Sequence, residues 1–277
     1  MFFIYKYGFW LYNCYGGIYI KDMFNLEGKV AVVTGASSGL GHDAAVMYAE
    51  YGADVALLDL NENDLEKVKE EIEKLGRKVI AIECDVTKEA QVKDAVSKVL
   101  DVFSHIDILL NNAGIAVRGG VETLTEDEWD KSFNVNVKGM YLLSKYIIPG
   151  MKERKYGKIV NIASVNAVIA DKNDIFIRHS YNASKAAVLG LTTGMACSYA
   201  RYGITVNAIG PALFKTGMTK DTLFKSEEFL NGYNMLNPTG RPGNEKELNG
   251  TILYLSSDAS SYVQGQFIIV DGGGVLV

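Results

Sequence analysis

The chain of 277 residues has few of the residues that build covalent or metal-held scaffolds. Its three cysteines, Cys14, Cys84 and Cys197, are far apart in the sequence and form no C-x-x-C pair. This pattern excludes a disulfide framework and a zinc knuckle and favours a reducing compartment, so we expect a cytoplasmic location. The three histidines do not share the spacing of metal ligands on a helix, and we therefore expect no metal site.

The sequence also lacks a basic run and a long hydrophobic run. Lys and Arg number 28 against 33 Asp and Glu, which gives a net charge of −5. A nucleic-acid-binding protein needs a concentrated positive patch, so we expect no nucleic-acid partner. The uncharged run at residues 7–20 is too short, and too interrupted by glycine and Asn13, to span a bilayer, and we expect no membrane association.

Residues 1–24 form an aromatic N-terminal extension, with nine aromatic residues among the first twenty. It does not resemble a signal peptide, because no basic region precedes it and no small-residue cleavage site follows it. Three interpretations stay open. The extension is non-native, with Met23 as the natural start, or it is an arm that packs on a neighbouring subunit or over the substrate cleft. Contact with a membrane surface is the third and is disfavoured, because Lys6 alone provides no basic face.

From Lys29 onward, short β-branched runs alternate with helical stretches. The strand-like runs are residues 30–34, 55–59, 79–83, 108–111, 158–162, 204–208 and 267–270. Helical windows such as residues 64–75 and 90–102 separate them, and no repeat or Pro- or Ser-rich linker interrupts the alternation. This pattern predicts one α/β domain over residues 25–277, a doubly wound parallel seven-stranded sheet with helices on both faces.

A glycine-rich turn at residues 34–41 directly follows the first predicted strand and opens the first helical window. The residues we expect to contact a dinucleotide here are Gly35, Ser37, Ser38, Gly39, Leu40 and Gly41. Glycines let the backbone approach a pyrophosphate, whose charge meets the N–H groups of the helix N-terminus, and the serines add hydroxyl donors. A merely flexible turn is the alternative, but the position between first strand and first helix favours dinucleotide binding.

A carboxylate at the end of the second predicted strand bears on the choice of cofactor. Asp59 lies 24 residues after Gly35, near the offset at which an acid accepts from a ribose 2′-hydroxyl. It would repel a 2′-phosphate, and no basic residue replaces Leu60 or the serines of the turn, so NAD is favoured over NADP. A solvent-exposed strand-end acid is the alternative. Asp85, followed by Val86 after the third strand, is expected to accept from the adenine amine.

Tyr181 and Lys185 are spaced i and i+4 on a predicted helix and therefore share one face. A phenol with its ordinary pKa of about 10 is a poor base at neutral pH. A nearby ammonium and the cationic nicotinamide of an oxidised cofactor would both favour the phenolate. We therefore expect Lys185 to lower the Tyr181 pKa and to bind the nicotinamide ribose.

Together these motifs resemble the short-chain dehydrogenase/reductase family, and the resemblance extends over residues 25–277. The resemblance implies a Rossmann fold and a second group of site residues. Cofactor contacts are implied at Asn112, Ala113, Gly114, Pro211, Phe214 and Thr216, and catalytic positions at Asn136, Ser164, Tyr181 and Lys185. The C-terminal Asp-Gly-Gly at residues 271–273 also matches the family.

The resemblance implies hydride transfer between a secondary alcohol or ketone and the nicotinamide, without a metal. Tyr181 is the implied general acid and base, Ser164 binds the substrate oxygen, and Asn136 positions a water that links Lys185 to solvent. A non-catalytic nucleotide sensor is disfavoured, because all four catalytic positions are filled. Family members commonly form tetramers, so the resemblance implies a homotetramer, or else a dimer.

The chain departs from many relatives in two places. The proline of the nicotinamide segment is followed by Ala212 instead of glycine, and Tyr181 lies 17 positions after Ser164, a longer gap than in many relatives. The extra stretch, residues 171–179, is expected to stand beside the active site and to affect substrate choice more than NAD affinity.

Substrate specificity is expected from a lid at residues 212–237, from the loop at residues 115–121 and from the extra stretch. Candidate cations for a carboxylate are Arg118, Arg178, His179 and Lys215. These favour a sugar acid or polyol, as in members similar to gluconate 5-dehydrogenase. The apolar residues of the lid favour instead a bulky alcohol such as a hydroxysteroid. Reduction of acyl-carrier thioesters is a third possibility, and Asp59 counts against it because that reaction usually uses NADPH.

Overall fold

A single twisted sheet of seven parallel strands forms the centre of the protein. The structure is a computed structural model that describes residues 23–170, 176–216, 219 and 223–277. The strands are β1 (Val30–Thr34), β2 (Asp54–Asp59), β3 (Val79–Glu83), β4 (Ile108–Asn111), β5 (Gly157–Ile162), β6 (Ile204–Pro211) and β7 (Phe267–Val270). Their order in the sheet is β3-β2-β1-β4-β5-β6-β7. This confirms the predicted doubly wound α/β fold.

Helices cover both faces of the sheet. They are α1 (Gly39–Glu50), α2 (Glu62–Lys74), α3 (Glu89–Phe103), α4 (Glu126–Phe133), α5 (Gly139–Arg154), α6 (His179–Tyr199), α7 (Glu227–Leu236) and α8 (Asn249–Ser256). Helices α1, α2 and α8 pack on one face, and α3, α5 and α6 pack on the other. Because side chains alternate along a strand, Ala31 and Val33 of β1 enter the first core and Val30 and Val32 enter the second.

The burial of the strands explains why their sequences are continuously apolar. Strands β1, β4, β5 and β6 are buried at every position, whereas the edge strands β3 and β7 are mostly half-buried. A strand covered by helices on both faces has no solvent-facing position that would need a polar residue. The predicted strand bounds agree with the structure except that β2 and β5 begin one residue earlier and β6 continues to Pro211.

The winding of the sheet reverses between β1 and β4, which are neighbours although they are not consecutive in the sequence. At such a switch point the loops leave the carboxyl ends of the two strands in opposite directions and open a crevice. This is where the glycine-rich turn after β1 and the Asn112 loop after β4 meet.

The beginning of the described chain is already part of the core. Leu26 is buried, and Phe24 packs against the core on the α1 face. Residues 1–22 of the aromatic extension lie outside the described residues, so its three interpretations stay predictions. No helix within the described part of the chain is long and apolar enough to cross a bilayer.

Candidate active site

A cavity of about 710 Å³ opens at the carboxyl ends of the strands. Segments that follow all seven strands contribute to its wall, from the glycine-rich turn after β1 to the segment after β7. Every residue that the sequence assigned to the cofactor or to catalysis lines this cavity, except Gly41 and Asn136. The structure therefore brings together residues that are up to 181 positions apart, Gly35 and Thr216 being the extremes.

The glycine-rich turn has the backbone that its sequence predicts. Gly35 and Gly39 have φ values of +66° and +56°, a region that favours glycine. A Cβ at Gly41 would lie 2.1 Å from the Gly35 carbonyl oxygen, so this residue permits the close approach of α1 to the turn. Gly41 is buried and does not line the cavity, and its predicted contact with a dinucleotide stays a prediction.

The start of α1 is suited to an anion. Ser38 is the N-cap residue in an extended conformation, and its side chain makes no capping hydrogen bond. The first N–H groups of a helix have no intrahelical partner, and the helix dipole adds partial positive charge there. A Cβ at Gly35 would collide with the loop of Asn112, so the turn needs glycine there. With the free N–H groups at the start of α1, this turn fits the pyrophosphate of a dinucleotide.

Asn112 braces the glycine-rich turn from the neighbouring strand. Its Nδ2 donates to the carbonyl oxygens of Thr34 at 2.9 Å and Gly35 at 3.1 Å. The Thr34 hydroxyl in return accepts from the backbone N–H groups of Asn112 and Ala113, both at 3.0 Å. These bonds fix the two loops of the switch point relative to each other.

Asp59 ends β2 with its carboxylate directed at backbone donors. Oδ2 accepts from the Ser37 N–H at 3.1 Å, and Oδ1 accepts from the Leu60 N–H at 2.7 Å. The carboxylate thus lies against the glycine-rich turn, in a position that fits a ribose hydroxyl. Asp85 also lines the cavity, and its Oδ1 accepts from the backbone and hydroxyl of Thr87.

Tyr181 and Ser164 both line the cavity and are neighbours there. Helix α6 begins at His179, so Tyr181 lies in its first turn, and Ser164 directly follows β5. Burial raises the pKa of Tyr181 above its usual value, while a hydrogen bond with Ser164 and then the positive charge of Arg178 oppose this rise. The hydroxyls of Tyr181 and Ser164 are therefore hydrogen-bonded to each other.

Lys185 lies one turn further along α6 and is nearly fully buried. Its Nζ donates to the Ile162 carbonyl oxygen at 2.7 Å and lies 5.7 Å from the centroid of the Tyr181 ring. Burial lowers the pKa of Lys185 to about 8. The positive charge that lowers the Tyr181 pKa in this structure is that of Arg178, and the predicted effect of Lys185 on the phenol stays a prediction.

Asn136 does not line the cavity, and its predicted role of positioning a water beside Lys185 stays a prediction. It is fully buried in a π-helical turn, Asn134–Lys138, between α4 and α5. Its Oδ1 accepts from the Ile115 N–H at 2.8 Å, and its Nδ2 donates to the Ile115 carbonyl at 2.9 Å and to the Ser184 hydroxyl at 3.0 Å. Asn136 therefore fixes the loop after β4; π-helical turns of this kind are frequent at functional sites.

Only some of the described candidate residues for substrate binding line the cavity. Of the four proposed cations, Arg178 alone lines the cavity; Arg118 and Lys215 lie outside it, and the His179 ring accepts from the Val121 N–H. The lid residues that line it are Ala212, Leu213, Phe214, Thr216, Thr219, Leu223, Phe229, Tyr233, Leu236 and Asn237, whereas Met235 is 85% exposed. Residues 171–175, 217, 218 and 220–222 of the predicted insert and lid lie outside the described residues.

Several lining residues were not identified from the sequence. They are Leu58, Cys84, Lys131, Val135, Ile162, Ala163, Val165, Asn166, Ile169, Asp271, Gly274 and Val275. Those at the ends of β2, β3 and β5 follow from the rule that ligands bind at the carboxyl ends of parallel strands. No feature of the sequence indicates that Lys131 on α4 lines the cavity. No group of His, Cys, Asp and Glu within the described ranges could hold a metal ion.

Comparison with known proteins identifies the family. Residues 29–226 match the family profile described as short chain dehydrogenase, which covers well over half of the chain. The chain belongs to the short-chain dehydrogenase family. Members of this family are NAD(P)-dependent oxidoreductases that act on small molecules, and the seven-stranded Rossmann domain is their shared fold.

Individual relatives of the short-chain dehydrogenase family differ in their substrates. The chain is 39% identical to gluconate 5-dehydrogenase of Gluconobacter oxydans, over 91% of this chain and 96% of that one. It is 38% identical to the 3-oxoacyl-acyl-carrier-protein reductase FabG of Thermotoga maritima, over 91% and 99%. A crystal structure of gluconate 5-dehydrogenase from Burkholderia cenocepacia, in complex with NADP and tartrate, superimposes with a TM-score of 0.88 at 34% identity, covering 94% of this chain and all of that one.

Proposed function

We propose that the protein is an NAD(H)-dependent oxidoreductase that interconverts a secondary alcohol and a ketone, with Tyr181 as the general acid and base. The proposal rests on one observation: the Tyr181 phenol, hydrogen-bonded to Ser164, lines the same cavity as the glycine-rich turn. When bound, the nicotinamide supplies the centre that gives or accepts a hydride. The residues of this chain supply the proton transfer and the positioning.

Each catalytic side chain has a defined task in this proposal. Tyr181 takes the hydroxyl proton during alcohol oxidation and returns it to the carbonyl oxygen during reduction. Ser164 hydrogen-bonds the same oxygen and stabilises its partial charge. Lys185 binds the ribose, and its pKa of about 8 suits proton exchange near neutral pH. Asn136 holds the adjoining turn in the shape that lets a water reach Lys185.

The preference for NAD over NADP is part of the proposal and depends on Asp59. Its carboxylate lies against the Ser37 N–H, where a ribose hydroxyl can donate to it and a 2′-phosphate would be repelled. The neighbouring Leu60 is 65% exposed and offers no positive charge. The Burkholderia relative was crystallised with NADP, so the family likeness alone does not decide this choice.

For the substrate we propose a sugar acid or polyol. The likeness to two gluconate 5-dehydrogenases supports this class, and the crystal structure of one of them contains tartrate, itself a hydroxy acid. The aromatic side chains Phe214, Phe229 and Tyr233 in the cavity favour the alternative, a bulky apolar alcohol such as a hydroxysteroid. The similarity to FabG favours a third reaction, the reduction of an acyl-carrier thioester. Asp59 counts against that reaction, because it disfavours the NADPH that the reaction usually uses.

A spectrophotometric screen tests the substrate class. Purified protein is mixed with NAD or NADP and with gluconate and other sugar acids, polyols, hydroxysteroids or a 3-hydroxyacyl thioester, and NAD(P)H formation is followed. We expect turnover with a sugar acid or polyol, and faster turnover with NAD than with NADP. Turnover confined to steroids, or to the thioester with NADP, would contradict the proposed class and support the corresponding alternative.

We further propose a cytoplasmic homotetramer. The exposed face of α6 carries the small residues Ala186, Gly190 and Gly194, and a Cβ at either glycine would meet no atom within 4 Å, so a second helix can approach closely. Strand β7 is a half-buried sheet edge that offers a second interface. Cys84 and Cys197 are both free thiols, in keeping with a reducing compartment.

Light scattering tests the assembly. At tens of micromolar we expect a mass about four times that of the 30.3 kDa chain, and Gly190→Trp, which places a large side chain on the open face of α6, should reduce it to a dimer or monomer. The matched control, Tyr262→Trp at a fully exposed position, should leave the mass unchanged. A wild-type protein that is monomeric at this concentration contradicts the proposal.

A further inference from the structure

The end of the extra stretch between Ser164 and Tyr181 is held in a fixed position. Arg178 forms a parallel bridge with Gly119, in which the Gly119 N–H donates to the Ile177 carbonyl at 3.0 Å and the His179 N–H donates to the Gly119 carbonyl at 3.1 Å. The Val121 N–H also donates to the His179 ring at 3.1 Å. The loop at residues 115–121 and the stretch therefore form one wall.

Phe176 connects this wall to the lid. Its ring lies 5.0 Å from that of Phe229 on α7, which in turn lies 6.3 Å from the Tyr233 ring. All three rings line the cavity, so together they form an apolar strip in its wall. Aromatic contacts of this kind hold the stretch and α7 together and give the carbon skeleton of a substrate a surface to lie on.

Arg178 stands where this apolar strip meets the Tyr181 phenol. Its side chain lines the cavity, and the guanidinium carbon lies 5.8 Å from the centroid of the Tyr181 ring. Its Nε donates to the Phe176 carbonyl at 3.1 Å, which orients the group. A guanidinium carries five N–H donors in a planar fork, so one side chain can hold a backbone carbonyl and a carboxylate at once.

The charges around the cavity favour an anion beside Tyr181. Asp59 and Asp85 lie at the ends of β2 and β3, which is the side of the glycine-rich turn. Among the other described lining residues the charged ones are Lys131, Arg178, Lys185 and Asp271. The Asp271 carboxylate already accepts from the backbone N–H groups of Gly273 and Val275, at 2.9 and 2.7 Å. Among these described lining residues, the cations therefore outnumber the acids.

We propose that Arg178 is a specificity-determining residue that binds a carboxylate of the substrate close to the reacting carbon. The inference rests on the proposed function and narrows its substrate to a hydroxy acid. The carboxylate pairs with the guanidinium, the carbon skeleton lies along Phe176 and Phe229, and the carbinol oxygen reaches Tyr181 and Ser164. A neutral polyol or sterol would leave the guanidinium without this partner.

Two matched pairs of alcohols test the inference in the presence of NAD. D-gluconate is compared with D-sorbitol, and 3-hydroxy-3-phenylpropanoate with its methyl ester, because each pair differs in the presence of the carboxylate. In wild-type protein we expect kcat/KM for the acid to exceed that for its neutral partner by about tenfold or more in at least one pair. In Arg178→Gln the acid-to-neutral ratio should fall by about 10- to 100-fold, the size expected for a lost charge-assisted hydrogen bond.

The ratio separates recognition from a general effect on Tyr181. Removal of a positive charge near the phenol slows both members of a pair equally, so that effect cancels. Arg178→Lys keeps the charge without the planar fork and should restore part of the ratio. It also serves as the test variant if Arg178→Gln does not fold. The matched control is Arg118→Gln, at an exposed position outside the cavity, which should leave the ratio unchanged.

The outcomes distinguish this inference from the proposed function. Oxidation of neutral alcohols as fast as of their acids, or an unchanged ratio in Arg178→Gln and Arg178→Lys, overturns the role of Arg178 and leaves the proposed function standing. A protein that binds NAD but oxidises none of the four probes and none of the screened alcohols overturns the proposed function, and this inference with it.

Discussion

Tyr181→Phe is expected to lower kcat by about 10²- to 10⁴-fold, the usual contribution of a positioned general acid or base. The substitution removes only the hydroxyl. The ring stays in its place in the first turn of α6, and Lys185 keeps its bond to the Ile162 carbonyl. Because the glycine-rich turn and Asp59 are untouched, the affinity for NADH should change by less than about threefold, well under the 1.4 kcal/mol of a tenfold change.

Steady-state rates with the best substrate of the screen, together with NADH titration by fluorescence, measure both quantities. Tyr199→Phe is the matched control, since Tyr199 lies on the same helix, outside the cavity, and should keep wild-type rates. Turnover in Tyr181→Phe within tenfold of wild type would exclude the phenol as the proton-transfer group. A wild-type protein that binds NADH tightly and oxidises nothing would support the nucleotide-sensor alternative.

The double variant Asp59→Ser, Leu60→Arg is expected to shift the ratio of NADPH to NADH affinity by about 100-fold or more in favour of NADPH. The change removes a carboxylate that can accept from the ribose 2′-hydroxyl, and it adds a guanidinium that can pair with a 2′-phosphate. Each of these charge-assisted interactions is worth about 1.5–3 kcal/mol. Leu60 is 65% exposed, so an arginine there displaces no core side chain.

Dissociation constants for NADH and NADPH test this expectation without a substrate. Asp59 also accepts from the Ser37 and Leu60 N–H groups, so its loss affects the turn as well as the ribose. Asp59→Asn keeps one acceptor oxygen and removes the charge, and it should give an intermediate ratio. A ratio that stays at the wild-type value in both variants would show that Asp59 does not determine the choice of nucleotide.

The sheet and the nucleotide end of the site could be predicted from the sequence, because local patterns determine them. Strands buried on both faces are continuous apolar runs, so the runs at residues 30–34 and 108–111 coincide with β1 and β4. The glycine-rich turn and Asp59 each follow a strand directly. Parallel strands bring their carboxyl ends to one edge, which places these residues together without further information.

The sequence could not show how buried side chains behind the cavity are directed. The motif around Asn136 implied that this residue positions a water beside Lys185, but it did not show that the amide bonds Ile115 inside a π-helical turn. Gly41 was expected to contact a dinucleotide, and the sequence did not show that it also permits the close packing of α1 on the turn. In both cases the residue type was informative, but the contacts that the residue makes depend on packing between elements that are distant in the sequence.

The substrate end was the least predictable part, because irregular loops form it. Four cations were equal candidates in the sequence, and a parallel bridge to Gly119 is what brings Arg178 to the cavity. The contact of Phe176 with Phe229 joins residues 53 positions apart that share no periodic pattern. Such contacts depend on the shape of the whole lid.

A crystal structure of the protein with NADH and a hydroxy acid tests the central claim most directly. The account predicts the pyrophosphate at the N-terminus of α1, the nicotinamide ribose at Lys185, and the substrate carbinol carbon between nicotinamide C4 and the Tyr181 hydroxyl, within about 3.5 Å of C4. A nicotinamide bound on the far side of the cavity from Tyr181, or a Tyr181 hydroxyl turned away from the substrate oxygen, would contradict it.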